Sequence, residues 1–387
     1  MLNDFNFHAP SYIAFGRGRS KMTGSLLKDW GATDSVLVVV DAAIRQIGLD
    51  RDILKSIEDA GLKTIVYDKA MPNAPVDTVR EGISFARTHN ASAIVALGGG
   101  SAMDTAKAIA VMVDKQGDVL DYCHGKVKPS RRKILLFAIP TTCGTGSEST
   151  DEGVILEPDT QYKHIFSDVF AGPDVAILDP VLLQGLPAKL IAGTAMDAFS
   201  HSAEAYTCRA ANVMMEPLAL TSMRMIVQNI HKAVQTPPDL DALEQVLIAS
   251  TMAGQAFTQV GLHIGHAIAH GIGVIGHVHH GAACAFILPY ALESISCEIP
   301  ERIAEVGRTL GVSIPDEASP AEIGRMVGQA VSELNKSVGI CRLSDFGVTE
   351  DMLDAMAEYG VNETDSQSNS YRASPKEEVV AYLRSIL

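Results

Sequence analysis

This sequence of 387 residues has few basic residues and no closely spaced pair of cysteines. Lysine and arginine number 31 against 46 acidic residues, which gives a formal net charge of −15. An acidic surface repels phosphate backbones, so we expect no nucleic-acid partner. The six cysteines lie apart and form no CxxC pair. This pattern predicts free, mostly buried thiols in a reducing compartment rather than a disulfide framework.

Long apolar runs and targeting signals are also missing. The most apolar stretch, residues 261–280, contains six histidines and five glycines, which a membrane-spanning helix would not carry. The first residues, MLNDFNFHAP, place an acid and a proline before any apolar run, so we expect no signal peptide. With 47% apolar and 20% charged residues and no repeats, the sequence predicts a cytoplasmic globular protein without a membrane partner.

The first half of the chain alternates short apolar runs with helical patterns. Continuous apolar strands separated by helices predict a parallel sheet that is covered on both faces. The predicted strands are residues 36–40, 64–67, 93–97, 134–139 and 175–178. The predicted helices lie near residues 50–60, 76–89 and 101–113.

The second half of the chain has a different pattern, because alanine, methionine and leucine recur there at spacings of three and four residues. This period predicts amphipathic helices over residues 218–234, 240–252, 301–310, 321–334 and 375–387. Prolines and a glycine interrupt the pattern between Asp179 and Pro187. We therefore predict an α/β domain over residues 1–184 and an all-helical domain over residues 185–387.

A glycine-rich turn follows one predicted strand and opens a predicted helix. In Gly98-Gly99-Gly100-Ser101 the glycines allow a close approach of the backbone, and Ser101 is suited to cap the helix. The free N–H groups of a first helical turn favour phosphate. A tight turn without a ligand is the alternative, and the pattern is not the usual GxGxxG fingerprint.

A second polar loop, PTTCGTGSE at residues 140–148, also follows an apolar strand. Its hydroxyls and glycines suit a ribose and phosphates, although a simple connecting loop is the alternative. Two such loops at the carboxyl ends of strands in one sheet indicate a shared ligand crevice. Asp41, at another strand end, is suited to bind ribose hydroxyls and to repel a 2′-phosphate; capping a helix is its alternative role.

Six of the twelve histidines fall within residues 263–280. His266 and His270 are four residues apart, as are Asp197 and His201, so each pair shares a face if its segment is helical. Two such pairs and a histidine of the following loop can offer three imidazoles and one carboxylate to one ion. This donor set suits Fe²⁺ or Zn²⁺ rather than Ca²⁺ or Mg²⁺. Spacing alone does not decide which four residues bind.

Four motifs in this order, GGGSAMDTAK, PTTCGTGSE, TAMDAFSHSAEAY and HAIAHGIGVIGHVHHG, resemble the iron-containing (group III) alcohol dehydrogenases. The resemblance covers nearly the whole chain. It implies a dehydroquinate synthase-like fold, with a Rossmann-like NAD-binding domain, an all-helical metal-binding domain, and a metal in the cleft between them.

The resemblance also implies roles for individual residues. The metal ligands would be Asp197, His201, His266 and His280, and His270 would be the catalytic residue beside the nicotinamide. The residues expected to bind the cofactor are Asp41, Gly98, Gly99, Gly100, Ser101, Asp104, Thr141, Thr142, Thr145 and Lys163.

The implied reaction is reversible hydride transfer between a small primary alcohol or diol and NAD(P), with Fe²⁺ or else Zn²⁺ as the metal. Asp41 favours NAD over NADP. A homodimer or higher oligomer is expected, with residues 11–15 as a candidate edge strand. The alternatives are a zinc-dependent polyol dehydrogenase, a synthase that uses NAD transiently, and a non-catalytic metal store. A further alternative is a dehydrogenase of an anionic hydroxy acid such as 4-hydroxybutyrate, held by Arg209, His263, His277 and His279.

Overall fold

The computed structural model describes residues 4–387, which form two compact units. The first unit contains His8–Thr142 and Gly146–Gly185. The second contains Leu186–Leu387 together with Cys143–Thr145 and residues 4–7. The sequence did not predict that the loop Cys143–Thr145 would group with the helical residues. The functional boundary between residues 184 and 185 stays a prediction.

A six-stranded sheet forms the centre of the first unit. In chain order the eight strands are β1 (Tyr12–Phe15), β2 (Ser35–Asp41), β3 (Lys63–Ala70), β4 (Ala93–Gly98), β5 (Leu135–Pro140), β6 (Glu152–Glu157), β7 (Tyr162–Ser167) and β8 (Val175–Leu178). The sheet order is β1-β8-β5-β4-β2-β3, and every neighbouring pair is parallel. The predicted parallel sheet is therefore confirmed, and all five predicted strands lie in it. The antiparallel hairpin of β6 and β7 was not predicted.

Six helices belong to the same unit: α1 (Thr23–Asp29), α2 (Ala42–Ile47), α3 (Arg51–Asp59), α4 (Val76–His89), α5 (Gly100–Met112) and α6 (Val119–Cys123). The three predicted helices correspond to α3, α4 and α5. Residues 36–40 of β2 and 94–97 of β4 are buried on both faces, as continuous apolar strands require.

The order of the strands reverses between β2 and β4. These strands are neighbours, with Val40 paired to Leu97, but the chain leaves β2 towards β3 and leaves β4 towards β5. The connections therefore diverge at the carboxyl ends of the two strands, where open α/β sheets bind their ligands. Asp41 and Gly98 lie at these two ends.

The second unit is helical. Its helices are α7 (Ala188–Thr207), α8 (Glu216–Ala233), α9 (Leu240–Phe257), α10 (Ile264–Gly276), α11 (His280–Ser294), α12 (Pro300–Thr309), α13 (Pro320–Ser337), α14 (Leu353–Val361), α15 (Thr364–Asn369) and α16 (Lys376–Ser385). The local sequence fixes several ends: Ser319 and Glu322 form a capping box before α13, and Asp239 caps α9. No helix within residues 4–387 is both long and apolar enough to cross a membrane.

Candidate metal centre

Helix α7 carries Asp197 and His201 one turn apart, so both side chains lie on the same face. The helix is buried from Ile191 to Thr207, which takes both residues out of solvent. Helix α10 supplies His266, as the spacing predicted. His280 was expected in a loop, but it is the first residue of α11.

The four predicted ligand residues meet around one carboxylate oxygen. Oδ1 of Asp197 lies 3.8 Å from Nε2 of His201 and 3.7 Å from Nε2 of both His266 and His280. One donor atom from each residue lies within 4.8 Å of the other three. Ligands with bonds of roughly 2.0–2.2 Å to a tetrahedral ion are separated by about 3.5 Å, so the set has the spacing that a single metal ion requires.

Asp197 is 2% exposed, and its Oδ1 has no hydrogen-bond partner within the described chain. Burial opposes ionisation, but the imidazoles of His201, His280 and His266 outweigh it and hold the pKa of Asp197 well below its usual value. A buried, ionised oxygen without a donor needs a compensating charge. A divalent cation between the four side chains would supply that charge, so the residues fit the metal that the sequence implied.

His201 is kept neutral by its surroundings. Burial lowers its pKa to about 4 and outweighs the opposing effect of Asp197. Its ring stacks on Phe257 at 4.4 Å and on His266 at 4.6 Å between centroids. A neutral imidazole held in this way offers a lone pair to a cation at neutral pH.

Glu204, one turn beyond His201 on α7, orients His266. Its Oε1 lies 2.6 Å from Nδ1 of His266, and its Oε2 accepts from the backbone N–H groups of His263 and His266. Burial alone would raise the pKa of Glu204, but His266 and His263 outweigh burial and lower the pKa below its usual value. Glu204 therefore stays ionised. A carboxylate on Nδ1 fixes the tautomer that leaves Nε2 free for a metal.

His270 lies beside the four residues rather than among them. Its ring stacks on His280 with centroids 5.6 Å apart. Its Nδ1 lies 2.7 Å from Oε2 of Glu363, whose Oε1 accepts from Ser366. Although burial opposes ionisation of Glu363, His270 and Ser366 outweigh it and lower its pKa to about 2.

A thiol completes the surroundings of the four residues. Sγ of Cys284, one turn beyond His280 on α11, lies 3.5 Å from Nε2 of His266 and 3.6 Å from Nε2 of His280. These are the nitrogen atoms that face Asp197.

The candidate nucleotide turn lies at the carboxyl end of β4. Gly98 has a φ of +155°, and a Cβ there would lie 2.7 Å from Cβ of Ala102, so the position requires glycine. Gly99 is the N-cap of α5, which begins at Gly100. The prediction that Ser101 caps this helix is wrong: Ser101 is inside the first turn, and its Oγ accepts from the backbone N–H of Asn73.

The structure brings several other predicted cofactor residues to this turn. Oδ1 of Asp41 caps α2, and Oδ2 would lie 3.9 Å from a Cβ built at Gly98. The backbone N–H of Thr141 donates to the carbonyl of Gly98 at 2.9 Å, and a Cβ at Gly99 would meet Oγ1 of Thr142 at 3.2 Å.

Asp104 and Lys163 act on each other electrostatically. Burial raises the pKa of Asp104 to about 6, although Lys107 and Lys163 both oppose the rise. Lys163 lies on β7, paired with Leu156. Thr145, the remaining predicted cofactor residue, belongs to the second unit.

Two basic residues proposed to hold an anionic substrate have other contacts. Nε and Nη2 of Arg209 donate to the backbone carbonyls of Ser370 and Tyr371, and the guanidinium lies over the ring of Tyr371. His263 is fully buried, with Nε2 3.0 Å from Oγ1 of Thr207. That these two residues receive a substrate anion stays a prediction, which the burial of His263 disfavours. His277 and His279 are exposed.

Three residues of the site were not predicted: Glu204, Cys284 and Glu363. Glu204 and Cys284 follow His201 and His280 by three and four residues, so helical spacing could have found them. Glu363 is 93 residues from His270, and no local pattern links the two.

Comparison with known proteins agrees with this geometry. Residues 10–180 match the family model of iron-containing alcohol dehydrogenase, and residues 191–387 match the model of its C-terminal domain. The NAD-dependent methanol dehydrogenase of Bacillus methanolicus is 34% identical over 94% of this chain and 95% of its own. The 1,3-propanediol dehydrogenase of Citrobacter freundii is 31% identical over 96% of both chains. A solved structure of a 1,3-propanediol oxidoreductase covers both chains fully, with 30% identity and a TM-score of 0.93.

A parallel sheet with a glycine turn at its strand ends, and a carboxylate among three imidazoles, are typical of metal-dependent dehydrogenases. The chain belongs to the iron-containing alcohol dehydrogenase family. It is thus an oxidoreductase that acts on CH–OH groups, a metal-dependent alcohol dehydrogenase.

The role of Glu204 can be tested by Glu204→Gln. This substitution preserves the size of the side chain but removes the negative charge that faces Nδ1 of His266. We expect the affinity for Fe²⁺ or Zn²⁺, measured by competition with a chelator, to fall by about tenfold to a hundredfold. Glu216→Gln is the matched control, because Glu216 pairs with Arg302 in the same unit. Equal metal affinity in wild type and Glu204→Gln would contradict the role.

Proposed function

We propose that Asp197, His201, His266 and His280 hold one divalent ion, Fe²⁺ or alternatively Zn²⁺, for the oxidation of small primary alcohols or diols by NAD. The observation that carries this proposal is the position of the Asp197 oxygen, 3.7–3.8 Å from three imidazole nitrogens. When bound, the ion supplies a Lewis acid for the alcohol oxygen, and the nicotinamide supplies the hydride acceptor.

The protein's own side chains orient the proposed ligands and accept the proton of the alcohol. Glu204 holds Nδ1 of His266 so that Nε2 of His266 lies towards Asp197, and Asp197 would offset part of the charge of a bound ion. Glu363 is ionised and accepts a hydrogen bond from Nδ1–H of His270. That tautomer leaves Nε2 of His270 as a base, so His270 is the residue that we assign to accept the proton of the alcohol.

The nucleotide would lie at the switch point between β2 and β4. The backbone of Gly98, Gly99 and Gly100 and the hydroxyl of Ser101 surround the first turn of α5, where free N–H groups favour the pyrophosphate. Thr141, Thr142, Thr145, Asp104 and Lys163 would contact the rest of the dinucleotide, and Asp41 the adenosine ribose. The diverging connections at this edge support the assignment.

The substrate is best described as a small alcohol with an apolar chain. Phe257 packs its ring on His201, which supports an apolar surface next to the metal ligands. The backbone contacts of Arg209 and the full burial of His263 favour an uncharged substrate over an anionic one. Relatives named for methanol and 1,3-propanediol support the same class.

We also infer that the enzyme acts in the cytoplasm. None of the six cysteines forms a disulfide within the described residues; three are buried and one is half-buried. This state suits a reducing compartment.

The function is tested by following NADH formation from a series of primary alcohols with the Fe²⁺-loaded enzyme. We expect turnover that is lost with the metal, because no other group in the proposal polarises the alcohol oxygen. Asp197→Asn and His266→Ala should retain the fold by circular dichroism but bind no metal and form no NADH. Retention of stoichiometric metal by both variants, measured by elemental analysis, would show that the ligands are assigned wrongly.

Cofactor preference provides a separate test. A 2′-phosphate against Asp41 would cost roughly 1–3 kcal/mol, so NAD should be preferred about tenfold to a hundredfold in kcat/KM. Asp41→Asn removes the charge but keeps an oxygen to cap α2, whereas Asp41→Gly also removes the cap. Both variants should relax the preference, and wild-type enzyme with equal efficiency on NAD and NADP would refute the assignment.

We further propose a homodimer formed through β1. This strand is at the edge of the sheet, and its side chains Tyr12 and Phe15 are 53% and 40% exposed. Pairing two edges would bury both. Light scattering at micromolar concentration should give about twice the chain mass for wild type and for the control Ile47→Lys. The double variant Tyr12→Lys/Phe15→Lys should be monomeric; a monomeric wild type would rule the dimer out.

A further inference from the structure

The acid that orients His270 lies in a short connection between two helices. Glu363 comes two residues after the end of α14 and is the N-cap of α15, and its Oε2 lies 2.7 Å from Nδ1 of His270. Ser366 donates to Oε1 of Glu363, and the backbone N–H of Glu363 donates to the carbonyl of Gly360. These two contacts lie within the connection itself, so they do not fix its position relative to α10.

The residues before Glu363 are held by close packing of α14 on α10. A Cβ built at Gly271 of α10 would lie 2.3 Å from the carbonyl oxygen of Met356. A Cβ built at Gly360 would lie 2.5 Å from Cα of Ile268. The two helices therefore approach each other backbone to backbone, which glycine allows. This packing fixes the chain three residues before Glu363.

The residues after Glu363 are held by one side chain, that of Asn369, the last residue of α15. Its Nδ2 donates to the carbonyls of Val260 and Leu262, at 2.8 Å and 3.0 Å, in the loop that leads into α10. Its Oδ1 accepts from the backbone N–H of Ala210, at 3.2 Å, beyond the end of α7. Both donor hydrogens of the amide and its oxygen are thus used, and they join α15 to two other segments.

Arg209 reinforces the same attachment. Its backbone N–H donates to the carbonyl of Asn369 at 2.9 Å. Its Nε and Nη2 donate to the carbonyls of Ser370 and Tyr371, at 2.8 Å and 3.2 Å. The guanidinium therefore cross-links two stretches of backbone, the one after α7 and the one after α15.

We propose that Asn369 is a positioning residue for His270: it fastens the end of α15 to the loop before α10 and so keeps Glu363 in contact with His270. Helix α15 has six residues and a length of about 9 Å, so a shift of its last residue also moves its N-cap. Arg209 acts in the same direction. This inference rests on the proposed function of His270 as the residue that accepts the proton of the alcohol.

The alternative is that Asn369 only stabilises the fold. A double-mutant cycle with Glu363→Ala separates the two roles. If Asn369 acts through Glu363, its removal costs little once the carboxylate is gone, because nothing is left to position. A general loss of stability would instead add to the effect of Glu363→Ala.

The test measures NADH formation from a small primary alcohol in a single turnover of the metal-loaded enzyme, which excludes product release. We expect Asn369→Ala to lower this rate by about tenfold, with bound metal and KM for NAD close to wild type. Glu363→Ala should lower the rate at least as much, and the double variant should be no slower than Glu363→Ala. The matched control with an unchanged rate is Asn229→Ala, because the half-buried Asn229 donates to the carbonyl of Met225 on its own helix.

Hydrogen exchange of the metal-free protein gives a readout that does not depend on activity. In Asn369→Ala the backbone amides of residues 363–370 should exchange about tenfold faster than in wild type, whereas those of α8 should not change. Arg209→Ala should show the same effect to a smaller degree, and it replaces Asn369→Ala if that variant does not fold. Wild-type exchange over residues 363–370 in both variants would overturn the proposal.

The failures of the two proposals are distinguishable. A slow Glu363→Ala with a fully active Asn369→Ala overturns the role of Asn369 and leaves the pair of Glu363 and His270 intact. A double variant much slower than Glu363→Ala assigns a general structural role to Asn369 and also overturns the proposal. A wild-type rate in Glu363→Ala overturns the orientation of His270 by Glu363, and the role of Asn369 fails with it.

Discussion

A buried carboxylate that must stay charged is the constraint on which the helical unit depends. Asp197 is withdrawn from water, and its Oδ1 receives no hydrogen bond within the described residues. An isolated charge in such a place is costly, so the surroundings must compensate for it. Helices α7, α10 and α11 each bring an imidazole nitrogen to within 4 Å of that oxygen. Their mutual packing is therefore inseparable from the site that they form.

A second buried carboxylate, Glu204, holds one of these imidazoles in place. Glu204 binds the ring of His266 and also two backbone N–H groups where α10 begins. Negative charge at the start of a helix is favourable, because unpaired N–H groups point there. Glu204 thus fixes both the start of α10 and the orientation of the His266 ring. Glu363 holds His270 in the same way, so His266 and His270 of α10 are each oriented by an acid of their own.

Much of this organisation could be predicted from the sequence where the signal is local. Apolar runs predicted the parallel sheet, and the four-residue spacing of Asp197 and His201 predicted a shared helical face. The contact of Glu363 with His270 could not be predicted, because it depends on how α10 and the segment before α15 pack. The prediction that Ser101 caps α5 failed for a physical reason. A serine near the start of a helix is typical of a cap, but the N-cap is Gly99, two residues earlier. The hairpin β6–β7 was missed because its apolar runs, 154–156 and 165–166, are short and polar or charged residues make up much of both strands.

The first unit uses a buried charge in the same way as the second. Lys107 on α5 is 1% exposed, and its Nζ donates to Oγ of Ser147, Oγ1 of Thr150 and the carbonyl of Glu152. Burial lowers the pKa of Lys107, and the carboxylates of Asp104 and Glu152 oppose that effect. Ser147 in turn donates to Asp104, one turn back on α5. Because a buried ammonium cannot lose these acceptors without a large cost, the segment after β5 is held against the helix that follows the glycine turn. Both motifs that suggested a nucleotide contain residues of this network: Asp104 and Lys107 in GGGSAMDTAK, and Ser147 in PTTCGTGSE. Their order in the sequence therefore reflects a packing requirement.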